Sequence, residues 1–82
     1  MTPAEKVREN RLRRMARRQG LRLIKSRTRD PRALDYGGYW VRNSRHAAAY
    51  GPIPEGFTLD QVERFLTDDE FRAEIVRTHN NP

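Results

Sequence analysis

The 82-residue chain is short, highly charged and poor in apolar residues, which make up only 35% of it. We therefore expect one small domain with a thin core, because a chain of this size buries roughly 60% of its unfolded surface. The absence of cysteine excludes disulfides, thiolate metal sites and thiol chemistry. The apolar runs are too short for a signal peptide or a membrane span, so we expect a cytoplasmic protein.

Charge divides the chain into two unlike parts. Residues 1 to 32 hold 12 Lys or Arg and three Asp or Glu, a net charge of +9, whereas residues 33 to 82 carry −3. Fifteen of the 17 basic residues are arginine, whose planar guanidinium suits phosphate and base edges. This asymmetry is typical of proteins that bind nucleic acid or another anionic surface.

A helix is predicted from about residue 3 to residue 18. Thr2 is the expected N-cap, followed by proline at the first helical position, and Gly20 supplies the C-terminal turn. Steps of 100° place an apolar side opposite a basic one. The apolar side comprises Ala4, Val7, Leu12, Met15 and Ala16, and the basic side Lys6, Asn10, Arg13, Arg14, Arg17 and Arg18. Glu9 lies at the border and can pair with Arg13.

Three strands are expected next, over 21–27, 39–42 and 46–50, separated by turns at 28–32 and 43–45. Alternation places Tyr39 and Trp40 on opposite faces, so one of them is exposed or covered by helices. In so small a core we expect Trp40 to be buried, although aromatics among arginines also stack on unpaired bases.

Two capping patterns follow the sheet. Thr58 and Gln61 begin a helix that buries Leu59, Val62, Phe65 and Leu66, and Thr67 to Glu70 begin another that buries Phe71 and Ile75. The prediction is an α+β fold with an N-terminal helix, a three-stranded antiparallel sheet and one broken or two short C-terminal helices. The domain spans residues 1–78, and 79–82 form a frayed tail.

The inventory of side chains argues against catalysis. His46 and His79 are far apart, Ser26 and Ser44 have no neighbouring base, and no glycine-rich phosphate loop is present. Asp30 and Asp35 are the only carboxylates among arginines that might hold a metal for nuclease chemistry, but both are better explained as turn residues. We expect no enzyme activity, cofactor, metal or small-molecule substrate.

Binding is better supported, because positive charge continues from the first helix into the following strand and turn. We expect these side chains to converge on one anion-binding surface, with DNA favoured over RNA. A protein-interaction module that docks on an acidic host protein, for example a phage-encoded factor, is the alternative. The candidate nucleic-acid-binding residues are Arg13, Arg14, Arg17, Arg18, Arg22, Lys25, Arg27, Arg29, Arg42 and Arg45.

The segment from Arg11 to Arg27, with Asp30 to Ala33 and Asp35 to Trp40, resembles small basic proteins of actinobacteria and their phages. The resemblance also covers Thr58 to Val62 and extends over most of residues 10 to 66. It implies a bacterial or phage cytosolic context and no particular activity.

The order of elements is similar to that of two classes of nucleic-acid-binding domain. A sheet followed by a helix resembles phage-integrase arm domains and plant ethylene-response factors, in which Arg22, Lys25, Arg42 and Arg45 would match the residues of the DNA-contacting sheet. Helix, sheet and helix is also the order of double-stranded-RNA-binding domains. Their basic start to the last helix is replaced here by Asp60, Asp68 and Asp69.

Overall fold

The structure is a computed structural model that describes residues 2–28, 30–34, 36–43, 45 and 48–80. It confirms the α+β fold. Helix α1 is followed by strands β1, β2 and β3 and by two C-terminal helices, α2 and α3. Their bounds are Pro3–Arg18, Leu21–Lys25, Tyr39–Asn43, Ala49–Tyr50, Leu59–Thr67 and Asp69–Asn80.

Helix α1 begins and ends where its capping residues predict. The hydroxyl of Thr2 accepts a hydrogen bond from the amide of Glu5 at 3.2 Å, and Pro3 occupies the first turn. The helix ends at Arg18 with Gln19 as its C-cap, and Gly20 takes a φ of 75°, a left-handed conformation that glycine adopts without steric penalty. The chain then turns directly into β1.

The sheet is antiparallel with the strand order β1-β2-β3, so β1 and β3 are its edges. Leu23 lies opposite Val41 in the register of β1 with β2, and Val41 lies opposite Tyr50 in β3. The third strand is shorter than predicted within the described residues, and the main chain pairs further at Ala48, whose carbonyl accepts from the Asn43 amide. Residues 46 and 47 of the predicted third strand lie outside the described residues.

The three helices pack side by side on one face of the sheet, α1 over β1, α2 over β2 and α3 over β3. The core lies between these two layers. Its aromatic part comes from Tyr50, Phe57 and Phe65. The ring centroids of Tyr50 and Phe57 lie 5.7 and 5.8 Å, respectively, from that of Phe65. Leu12 and Ala16 contribute the α1 side of the same core.

The buried side of α1 differs from the predicted one. Val7 is 67% exposed and Ala4 is also exposed, whereas Glu9 is only 1% exposed. Glu9, Leu12 and Ala16 are spaced three and four residues apart, so they share one side of the helix. This side of α1 can face the sheet with a carboxylate in it because the Tyr39 hydroxyl donates a hydrogen bond to Glu9 at 2.7 Å.

Trp40 is half-buried and lies outside the core, contrary to the prediction, and Tyr39 takes the buried position instead. The alternation of the strand is as expected, and the helix layer selects the face that carries Tyr39, Val41 and Tyr50. Of Tyr39 and Trp40, Trp40 is therefore the one that stays partly exposed.

The C-terminal helices follow the predicted capping with one correction. At α2, Thr58 and Gln61 form the full capping box. At α3, the cap is Asp68 rather than Thr67, because the Asp68 carboxylate accepts from the amides of Glu70 and Phe71. Thr67 remains in α2, where its hydroxyl donates to the Glu63 carbonyl. Helix α3 extends to Asn80, beyond the predicted end of the domain, and residues 81 and 82 lie outside the described part.

Candidate nucleic-acid interface

Five basic side chains of α1 and β1 are held by acidic partners inside the fold. Arg64 of α2 also lies 3.6 Å from an Asp68 carboxylate oxygen. Glu9 is the centre of one group. Its Oε1 accepts from the Tyr39 hydroxyl at 2.7 Å and lies 3.9 Å from Lys25 Nζ. Its Oε2 lies 3.3 Å from Lys6 Nζ and 3.8 Å from Arg13 Nε, which confirms the predicted contact of Glu9 with Arg13. We call Glu9 and these four partners the Glu9 cluster.

Ionisation of Glu9 is favoured in spite of its burial. Removal from water opposes the charged form, but the hydrogen bonds from Tyr39 and Lys6 and the charges of Arg13 and Lys6 outweigh it, so the Glu9 pKa is lowered. Burial and the neighbouring carboxylate raise the pKa of Tyr39. The pair is therefore a phenol donating to a carboxylate across a wide pH range.

A second group joins α1 to α2. Arg8 Nη2 lies 2.6 Å from an Asp60 carboxylate oxygen, and Arg11 Nη2 lies 2.6 Å from Glu63 Oε1. These ion pairs use the acidic start of α2 to neutralise part of the basic helix. Lys6, Arg8, Arg11, Arg13 and Lys25 thus all have carboxylate neighbours, and the positive charge that remains is confined to other positions.

The outward side of α1 carries arginines of a different kind. Arg14, Arg17 and Arg18 are exposed, and together they line a concave depression of about 380 Å³. We call this the arginine cleft. Within the described part of the chain none of the three forms an ion pair. Arg14 and Arg18 lie four residues apart, a spacing at which like charges destabilise a helix by about 0.2–0.5 kcal/mol.

The sheet brings two further arginines together. Arg22 of β1 lies directly opposite Arg42 of β2, and both are exposed on the face away from the helices. Like charges directly opposite each other also destabilise a sheet. Among the described residues neither has a carboxylate partner, so this pair is a second place where an anion would relieve repulsion.

Arg13 links α1 to the sheet. Its Nη1 donates to the carbonyl of Leu23 at 2.7 Å, on the edge strand β1. Its Nε also lies near Glu9 Oε2, so Arg13 is held between Glu9 and β1 and is not one of the free arginines.

The remaining candidate residues take other positions. Lys25 belongs to the Glu9 cluster and lies 6.0 Å from the Tyr39 ring centroid. Arg27 is exposed after β1, and Arg45 is exposed in the turn after β2, where its amide donates to Asn43 Oδ1. Arg29 lies outside the described residues. The structure thus brings together Arg14, Arg17 and Arg18, and separately Arg22 and Arg42.

A cavity between α1 and α2 is not an anion site. Its volume is about 610 Å³, and it lies between α1, the end of β1, the following loop and the start of α2. Arg8 and Lys25 line it together with Glu5 and Asp60, so its charges are balanced. Among the described residues, no group of three acidic, histidine or cysteine side chains is placed to hold a metal.

Asp30 is a turn residue, as the sequence predicts. Its carboxylate accepts from the Arg32 amide at 3.0 Å, and its carbonyl accepts from Ala33. Asp35 and His46, the other residues weighed for metal chemistry in this region, lie outside the described residues.

Comparison of the chain with protein-family models, curated proteins and solved structures finds no match. The resemblance to small basic actinobacterial and phage proteins stays a prediction. None of the described helices combines the length and apolar character needed to cross a bilayer.

Sequence reasoning predicted the pairing of Glu9 with Arg13 but missed the burial of Glu9 and the ion pairs between α1 and α2. Glu9 stands at core spacing with Leu12 and Ala16, a signal that a buried carboxylate was possible. The pairing of Arg11 with Glu63 joins positions 52 residues apart, and no local pattern indicates it. Where the sequence predicts a continuous basic stripe, these contacts leave two groups of free arginines, the arginine cleft and the pair formed by Arg22 and Arg42.

Proposed function

We propose that this chain is a non-enzymatic nucleic-acid-binding protein that holds phosphates with the arginine cleft and the adjoining strand β1. The observation that carries the proposal is the cleft itself. Among the described residues it is lined by Arg14, Arg17 and Arg18 alone. These three keep a mutually repulsive spacing on a helix whose other cations have acidic partners. A polyanion bound in the cleft offsets that repulsion, because each arginine is attracted to its negative charges.

An extended anion fits this arrangement better than a small one. The free arginines form two groups, the cleft on α1 and the Arg22–Arg42 pair on the sheet. A phosphodiester backbone carries regularly repeated charges and can engage both groups, whereas a single phosphate engages only one of them.

DNA remains the favoured nucleic acid in this proposal. Duplex RNA binding in the helix–sheet–helix arrangement uses a basic start to the last helix, and here α2 begins with Asp60, which is paired with Arg8. Helix α3 begins with Asp69 and Glu70. The cytoplasmic location predicted from the sequence belongs to the same proposal.

The experiment is a titration of fluorescently labelled DNA followed by anisotropy, with R14A/R18A compared to R64A/R77A. Each variant removes two exposed arginines, so the two proteins have equal net charge. Each phosphate contact releases about 0.7–0.9 counterion, so loss of two contacts weakens binding roughly 25- to 60-fold at ~0.1 M salt. The control is expected to bind within about twofold of the parent.

Equal weakening by the two variants would show that net charge alone attracts the DNA, and the cleft would lose its assigned role. Failure of the parent to bind any DNA at low salt would overturn the proposal. In that case, capture of one acidic protein from nuclease-treated lysate, with loss of capture in R14A/R18A but not in R64A/R77A, would assign the cleft to protein docking.

A further inference from the structure

The helices leave one face of the sheet uncovered. Side chains alternate along each strand, and the inner positions Leu23, Tyr39, Val41 and Tyr50 are buried beneath the helices. The outer positions form a surface that we call the open sheet face. It consists of Arg22, Ile24, Trp40, Arg42 and Ala49.

Trp40 is the aromatic centre of this face, and the loop after β3 holds it in place. A Cβ built on Gly51 would lie 2.7 Å from Trp40 Cδ1 and 3.3 Å from Nε1, and one built on Gly56 would lie 3.1 Å from Cζ2. The glycines therefore let the main chain approach one side of the indole. The ring is half-buried in this way, and the rest of it faces solvent beside Ile24, its partner in the register.

Arginines lie next to this ring at a regular spacing. Arg42 is two residues from Trp40 on the same face of β2, a separation of roughly 7 Å along the strand. Arg22 stands opposite Arg42 in the same way that Ile24 stands opposite Trp40. A flat apolar surface thus adjoins a doubly positive one.

This alternation matches an unpaired nucleic-acid strand better than a duplex or an acidic protein. A single strand offers bases that stack on an aromatic ring and phosphates that bind arginine a short distance away. A duplex keeps its bases stacked within the helix and offers this face mainly phosphates. An acidic protein surface would pair with the arginines but would gain little from an indole whose Nε1 lies on the loop side.

Resting on the nucleic-acid proposal above, we propose that the open sheet face stacks unpaired bases on Trp40, so that the chain prefers single-stranded over double-stranded DNA. The fixed position of the ring supports this, because little side-chain entropy is lost when a base stacks on a ring that is already held. Arg22 and Arg42 then hold the backbone next to the stacked base.

Trp40 is the only tryptophan in the sequence, so tryptophan emission, excited selectively over that of the tyrosines, reports on this face alone. The experiment titrates the full chain with a thymidine oligonucleotide of about 15 nucleotides, and with a duplex of equal length. Quenching of Trp40 emission by the single strand, and tighter binding of the strand than of the duplex, are the expected results. A variant Y36A, which removes a different exposed aromatic ring, is expected to bind as the parent does.

Two variants test the assignment by anisotropy. Truncation in W40A is expected to weaken binding of the single strand roughly 5- to 150-fold and to change duplex binding much less. R22A/R42A keeps the fluorophore and removes only exposed side chains, so it tests the face even if W40A does not fold. It is expected to weaken binding of the strand and to reduce the quenching at a given concentration.

Unchanged Trp40 emission at saturation, with equal affinities for strand and duplex, would overturn this inference and leave the phosphate-binding proposal intact. Absence of binding to both DNAs would overturn the two together. Loss of strand binding in Y36A as large as in W40A would also count against the open sheet face, because general aromatic attraction would explain it.

Discussion

The Glu9 cluster gives the sharpest expectation for stability, and the substitution that tests it is Glu9→Ala. The change removes the acceptor of a 2.7 Å hydrogen bond and leaves the Tyr39 hydroxyl in a site where the tyrosine is only 3% exposed. Hydrogen bonds to a charged group contribute about 1.5–3 kcal/mol, and an orphaned buried donor adds its desolvation. The side chains of Lys6, Arg13 and Lys25 are 61%, 35% and 39% exposed, so solvent screens their attraction to Glu9.

The expected loss for Glu9→Ala is therefore about 3 kcal/mol, a large part of the roughly 4–12 kcal/mol that stabilises a domain of this size. A loss of that size lowers the melting temperature by roughly 12–24 °C. Thermal and urea denaturation followed by circular dichroism measure it. Glu74→Ala, which removes an exposed carboxylate from α3, is the control and is expected to change stability by less than about 0.5 kcal/mol.

A double-mutant cycle with Tyr39→Phe isolates the hydrogen bond. In the Tyr39→Phe background the buried hydroxyl is gone, so Glu9→Ala is expected to destabilise the protein by about 1.5–3 kcal/mol less than it does in the parent. An equal effect in both backgrounds would refute the central place of this bond. A melting temperature for Glu9→Ala within about 3 °C of the parent would refute the stabilising role of the whole cluster.

Three further outcomes follow from the structure. Because the Glu9 pKa is lowered and the Tyr39 pKa is raised, stability is expected to fall as the pH drops below the ordinary glutamate pKa, since unfolded Glu9 takes up its proton there before native Glu9 does. Stability is also expected to fall above pH ~10, where only the unfolded tyrosine ionises. Urea midpoints against pH test both limbs, and Glu9→Gln should flatten the acid limb and weaken the alkaline one, because the Glu9 carboxylate also raises the Tyr39 pKa. Gly20 and Gly56 share a φ of 75°, but of the two only Gly56 is placed so that a Cβ would meet the Tyr39 main chain, at 2.8 Å. Gly56→Ala should therefore destabilise the fold by more than the roughly 1–2 kcal/mol expected for Gly20→Ala. Equal urea midpoints for the two variants would contradict this packing. Arg72 donates to the carbonyls of Phe65 and Leu66 and to the side chain of Gln19. Arg72→Ala should therefore lower stability by about 1.5–3 kcal/mol without changing DNA affinity. A folded Arg72→Ala protein with weaker DNA binding would instead show that Arg72 contacts the ligand.

Local signals allowed much of the fold to be predicted. Thr2, Gly20 and the Thr58 capping box act within a few residues of themselves, so the sequence contains all that is needed to place those helix ends. The strand alternation around Tyr39 and Trp40 is local in the same sense. The local pattern does not determine which of these two aromatics enters the core, because that depends on the face of the sheet on which the helices pack.

The candidate site was predictable only in part, because long-range contacts remove charge from it. Arg8 and Arg11 look like members of a basic stripe until α2 brings Asp60 and Glu63 beside them. Glu9 looks like a border residue until Tyr39 donates to it. Arg14, Arg17 and Arg18 keep their predicted exposure because no element packs on that side of α1 within the described chain.

The salt dependence of DNA binding tests the central claim most directly, because it counts the phosphates that the arginines contact. Five contacts from Arg14, Arg17, Arg18, Arg22 and Arg42 give a slope of log affinity against log salt of about −3.5 for a single strand and about −4.5 for a duplex. In R14A/R18A the slope is expected to become shallower by about 1.4–1.8, and in R64A/R77A to stay unchanged. A parent slope no steeper than about −1, or the same slope in R14A/R18A as in the parent, would contradict the account.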